Sequence, residues 1–117
     1  MKPAKIFRIQ DKKGRGPWKP GFSQKWVKSR PDHKKLLPWF DEFGALGMTA
    51  GMHTGCGCRT KTGLRRWFIC SEYDFLKKHG YRAVSMMVER VIAESDTQIF
   101  FERLRPLKRN VILFDLY

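Results

Sequence analysis

Glycine and proline recur through the stretch from Gly14 to Thr60 so densely that neither a long helix nor a long strand fits there: Gly14, Gly16, Pro17, Pro20, Gly21, Pro31, Pro38, Gly44, Gly47, Gly51, Gly55 and Gly57. A segment of that length without regular structure is either functional or partly disordered. The same stretch carries Trp18, Phe22, Trp26, Trp39, Phe40 and Phe43, which are apolar anchors a free linker has no use for. The expectation is an ordered, loop-rich wrap across the rest of the chain, with a short helix near Trp39 to Leu46.

Regular structure must therefore come from the two ends. Ala4 to Gln10 alternates, with Ile6, Arg8 and Gln10 on one face and Lys5, Phe7 and Ile9 on the other, which predicts a first strand. Thr60 or Thr62 can cap a helix through Leu64-Arg-Arg-Trp-Phe68, and Ser71-Glu-Tyr-Asp74 has the spacing of a second cap, with Gly80 as its stop. Tyr81 to Ile92 reads as a strand with Val84, Met86, Val88 and Ile92 on one face. Gln98 to Glu102 pairs with it across a Glu94-Ser-Asp-Thr97 turn, and Val111 to Tyr117 closes the sheet. The fold class that follows is α+β: a small antiparallel or mixed sheet, two short helices after Thr60 and a long aromatic, Gly/Pro-rich loop. At 117 residues, with 42% apolar and 14% aromatic side chains, residues 1–117 make a single domain able to bury its own core.

Charge is the other strong asymmetry. Residues 1–36 hold twelve Lys and Arg opposed only by Asp11 and Asp32, within a chain of formal net charge +13. Interleaved with Phe7, Trp18, Phe22 and Trp26, these cations suit a polyanion, since they neutralise phosphates while rings stack on bases. The bland alternative is a solvated positive face. No apolar run approaches the roughly 20 residues of a membrane span, and Met-Lys-Pro-Ala-Lys has no apolar signal core, so no membrane association and a cytoplasmic location are expected.

Cys56, Cys58 and Cys70 are an odd number in a chain without an export signal, so reduced thiols are expected. With His53 they match the ligand count of a tetrahedral zinc site, but Cys-x-Cys is not the usual knuckle spacing and Cys70 reads as a buried helix end. Small buried thiols and no metal is the preferred reading. A Cys/His nucleophile has nothing to orient its histidine, and paired carboxylates for a nuclease are too few.

The strand bearing Arg8, the Gly14-Arg-Gly-Pro-Trp18 turn, Gly57-Cys-Arg-Thr60 running into Leu64-Arg-Arg-Trp-Phe68, and the Glu94-Ser-Asp-Thr-Gln98-Ile-Phe-Phe101 hairpin together resemble small phage and prophage proteins, in an arrangement similar to a reduced ADP-ribosyltransferase fold. The resemblance implies an NAD cofactor and a host macromolecule as the modified partner. It assigns Arg8 to the dinucleotide, Thr60 as the nearest equivalent of the family's Ser-Thr-Ser pocket, and Glu94 with Gln98 as the pair assisting glycosidic cleavage. Read from their chemistry, Arg8 offers two-oxygen phosphate recognition, Gly14 and Gly16 allow close backbone approach, and Trp18 offers a stacking surface. The alternative is a non-catalytic basic protein that binds nucleic acid or inhibits a host defence complex of the CRISPR type. A pocket holding Arg8, Trp18 and Glu94 together favours the enzyme, and an exposed basic face with Trp18 and Trp26 favours the binder.

Overall fold

The computed structural model describes residues 3–18, 21–27 and 36–117. Of the basic arm, Lys2, Lys19, Lys28, Arg30, Lys34 and Lys35 lie outside the described residues, as do Pro20, Pro31 and Asp32. The elements in chain order are β1 (Ala4–Gln10), α1 (Ser23–Trp26), α2 (Trp39–Phe43), β2 (His53–Gly57), α3 (Lys61–Trp67), α4 (Cys70–Lys78), β3 (Arg82–Val88), β4 (Arg90–Glu94), β5 (Ile99–Arg103) and β6 (Ile112–Phe114).

The strands form two three-stranded sheets, ordered β1-β3-β6 and β2-β5-β4, and every pairing is antiparallel. Among the described residues one bridge joins them: Phe7 and Cys58 exchange backbone hydrogen bonds of 2.8 Å in both directions. The strand order is thereby continuous from β6 through β3, β1, β2 and β5 to β4. The chain is α+β, and its sheets are antiparallel rather than mixed.

The sheets fold over an apolar layer of Ile6, Val84, Met86, Val88, Ile99 and Phe101. On the opposite side, α3 and α4 cover Ile9 and Ala83 with Leu64, Trp67, Phe68, Tyr73 and Leu76, joined by Trp26 and Leu36 from the loop-rich segment. Each such side chain contributes about 1.5–3 kcal/mol when fully withdrawn from water. Of the aromatic anchors expected in the wrap, Trp26 is buried in this core and Phe22 packs against it, whereas Trp18 and Phe40 are exposed.

Local details correct several expectations. Residues 81–92 are not one strand, because the chain leaves the first sheet at Glu89 and begins β4 in the second. Glu89 marks the crossing by accepting a 2.7 Å hydrogen bond from the Leu104 N–H. The closing strand is three residues long, since after Phe114 the chain turns to bury Leu116, whose carbonyl accepts from Arg65 Nε at 2.7 Å. Helix α3 has its expected cap, Thr60 Oγ1 accepting from the Gly63 N–H at 3.0 Å. Helix α4 does not start at a Ser71 cap. It starts at Cys70 with Ile69 before it, and the buried Glu72 carboxylate accepts from the Ile69 N–H at 2.9 Å. Cys70 is accordingly exposed rather than a buried helix end. Within the glycine-rich stretch, β2 was not anticipated.

The loop before β6 is organised by a side chain. Arg103 is buried, and its guanidinium donates to the carbonyls of Met87 (2.9 Å), Pro106 (2.9 Å), Arg109 (2.6 Å) and Asn110 (3.0 Å). No helix among the described residues is long and apolar enough to cross a membrane.

Candidate functional site: a buried arginine beside an aromatic cavity

Strand alternation places Ile6, Arg8 and Gln10 on the same face of β1, and all three are buried. Gln10 donates to Leu107 O at 2.8 Å. Arg8 has no comparable partner. Its Nη2 reaches Gly14 O only at 3.5 Å, and among the described residues Nε and Nη1 have no hydrogen-bond partner. The guanidinium lies 5.9 Å from the centre of the Phe101 ring, a weak substitute for hydration. Burial lowers the Arg8 pKa to about 10, against the opposing pull of Cys56 and Asp11, so at neutral pH the protein keeps a cation there at an energetic cost.

Arg8 lines a cavity of about 490 Å³, within the ~300–1,000 Å³ usual for small-molecule sites. One wall is aromatic and comes from the loop-rich segment and the end of α3: Trp18, Trp67 and the following Phe68, with the Trp18 ring centre 6.0 and 6.1 Å from the other two. A second wall pairs Trp39 with Phe100, 4.4 Å between ring centres. The floor is β2, from Thr54 to Gly57, followed by Cys58. Gly55 permits this arrangement, since a Cβ there would collide with Arg8 Nη1. Among the described residues Arg8 is the only charged side chain in the lining.

The thiols in that floor are not activated. Burial pushes both Cys56 and Cys58 up to about 12; Arg8 opposes this for Cys56, while Cys56 adds to it for Cys58. Among the described residues no three His, Cys, Asp or Glu side chains gather as a metal site, so His53, Cys56, Cys58 and Cys70 do not form the tetrahedral set their count allows.

Of the residues singled out in the sequence, Arg8, Gly16, Trp18 and Gln98 meet at this cavity. Gly14 borders Arg8 through its carbonyl; its positive φ of 83° and the 2.9 Å that a Cβ there would leave to the Lys108 backbone nitrogen tie it to the packing of the 107–108 loop. Thr60 caps α3 and is absent from the lining. Glu94 also lies outside the lining. It is held by Arg59 in a two-point ion pair, through Nε to Oε2 and through Nη2 to Oε1 at 2.9 Å. The Arg59 hydrogen bond holds the Glu94 carboxyl below its ordinary pKa. Trp26 is buried, donating from Nε1 to Pro17 O at 3.2 Å, while Trp18 is 47% exposed.

Glu42 on α2 was not singled out in the sequence. Its carboxylate accepts from Ser95 Oγ (2.7 Å), Thr97 Oγ1 (3.2 Å) and Gln98 Nε2 (2.9 Å), and Gln98 Nε2 also donates to Leu37 O at 2.7 Å. Burial works to raise the Glu42 pKa, but the hydrogen bonds from Ser95, Gln98 and Thr97 outweigh it and hold the carboxyl below its ordinary value. These bonds pin α2, and with it Pro38 and Trp39, over the cavity. The only local signal was an acid pair, Asp41 and Glu42, inside an otherwise aromatic turn.

No curated protein and no solved structure matches this chain. A family model does, across residues 1–112, nearly the whole chain and all of the cavity lining. The chain belongs to the family described as Bacteriophage T4 Y00F protein.

Proposed function

We propose that this phage-family protein is an accessory protein that captures a nucleotide-class ligand in its aromatic cavity, with NAD as the specific candidate. The observation that carries the reading is Arg8: a buried cation that, among the described residues, is short of hydrogen-bond partners and is the one charged side chain in the cavity lining. An anion would relieve that cost, and facing aromatic walls suit a flat ring joined to it.

The resemblance to a reduced ADP-ribosyltransferase supplies the reaction such capture would serve, transfer of ADP-ribose to a host macromolecule. That step needs a carboxylate beside the ribose as positive charge develops. Glu94 would have to leave Arg59 to provide it, so capture is the primary reading and transfer the conditional one.

Calorimetric titration of NAD into wild type and Arg8→Ala at near-physiological salt tests capture, because screening suppresses binding by surface charge alone. Saturable binding that Arg8→Ala abolishes is expected. No heat at millimolar NAD, or binding unchanged in Arg8→Ala, would sink the NAD reading.

The alternative, a basic protein engaging nucleic acid or a host defence complex, draws on the net charge of +13 and on the exposure of Lys5, Lys12, Lys13, Arg15 and Lys25. It ranks second because buried Trp26 is withdrawn from any stacking surface on that arm.

A further inference from the structure

We infer that Gln98 reads a hydrogen-bond donor on the ligand, and that Glu42 is the positioning residue that orients Gln98 for it. The inference rests on the nucleotide-capture reading and narrows it to ligands bearing an amino or carboxamide N–H₂ on the ring.

Gln98 is 5% exposed and lines the cavity. A primary amide has two N–H donors and one carbonyl acceptor. Both donors are committed, since Nε2 contacts Leu37 O at 2.7 Å and Glu42 Oε1 at 2.9 Å, two groups that can only accept when Glu42 is ionised. The amide therefore has one allowed orientation, because a flip would set Oε1 against a carbonyl and a carboxylate. Its Oε1 is left without a partner among the described residues.

Glu42 enforces this orientation from outside the lining. Ser95 and Thr97 hydroxyls fix the carboxylate, and the carboxylate fixes the amide. A ligand anion beside Arg8 and a donor at Gln98 would span a ring held between the Trp18–Trp67 and Trp39–Phe100 walls. A ring offering only acceptors would set a lone pair against Oε1 and be rejected.

Two matched pairs test this by calorimetry at near-physiological salt: adenosine monophosphate against purine riboside 5′-monophosphate, and nicotinamide mononucleotide against 3-acetylpyridine mononucleotide. The second member carries hydrogen in the first pair, and methyl in the second, where the first member has N–H₂. The expected result is Arg8-dependent binding in at least one pair, with the donorless member weaker by about tenfold. Gln98→Leu should erase that ratio, and Glu42→Gln, which lets the amide turn, should shrink it by weakening the donor-bearing member towards its partner. Thermal melts establish that each variant is folded; if Gln98→Leu is not, the wild-type ratio and Glu42→Gln decide. Equal Arg8-dependent binding within each pair, or a ratio that survives in folded Gln98→Leu, overturns the inference and leaves capture standing. Failure of all four probes to bind wild type removes the capture reading and this one with it.

Discussion

Phe7 and Cys58 bond to each other through both backbone amides, and this single pair seams the two sheets along the line where Arg8 enters the cavity wall. Strand β1 pairs with β3 on its other edge, so Arg8 sits on a strand held from both sides. A cation fixed there has little freedom to swing out toward water.

The seam makes a testable demand. If it is as firm as the sheets it joins, the Phe7 and Cys58 amides exchange with deuterium only on global unfolding, alongside core amides of β3 and β5. Exchange at the rate of an exposed loop would show two independent sheets.

Arg8 itself should weaken the unliganded protein. Replacing it by methionine keeps an apolar stem of similar length and removes a buried, poorly paired charge. The expected change is neutral to stabilising, by up to about 1–3 kcal/mol, with nucleotide binding lost. Urea unfolding of the two proteins without ligand measures it. A clear loss of stability would mean that the Gly14 carbonyl and the Phe101 ring satisfy the guanidinium well enough.

Glu42 predicts an acid response. Its folded-state pKa lies below the unfolded value, so the unfolded chain binds the proton more readily there. The stability it contributes is then fully present above the ordinary carboxylate range and is lost as pH falls through the folded-state value. Wild type should exceed Glu42→Gln in melting temperature at neutral pH, and the gap should close on acidification. A gap that stays constant with pH would show that the ionised carboxylate is not what holds α2.

Thiol chemistry separates the three cysteines. Cys70 is exposed, whereas Cys58 is buried and Cys56 half-buried, with both of the latter pushed up to about 12. A chromogenic disulfide reagent at pH 7 should titrate one thiol quickly and the other two only after denaturation. Rapid labelling of Cys56 would indicate a more open cavity floor.

Much of the framework was legible because its signals are local. The Thr60 cap, the β1 alternation and the Glu94–Gln98 turn each depend on residues a few positions apart. Arg8, Gly16 and Trp18 were likewise singled out by residue type, a strand-borne cation, a tight turn and a ring, and Gln98 through the resemblance as a partner of Glu94; the fold gathers these four at one cavity and leaves Glu94 outside it. Strand β2 escaped notice because His-Thr-Gly-Cys-Gly has poor strand propensity, and its extended form comes from pairing with β5. Glu42 escaped because its partners lie 53 to 56 positions away. The split at Glu89 was equally hidden, since the even-numbered apolar residues Val84, Met86 and Val88 are followed by Ile92 in the same sequence phase.

Arg103 turns the 104–110 loop into a rigid handle. Its guanidinium gathers carbonyls that would otherwise need strand partners, so the exposed Arg105, Lys108 and Arg109 are presented on a preset frame. A phosphate-bearing or acidic surface meeting these three cations would find them already arrayed, and association would forgo most of the ordering entropy that a slack basic loop demands.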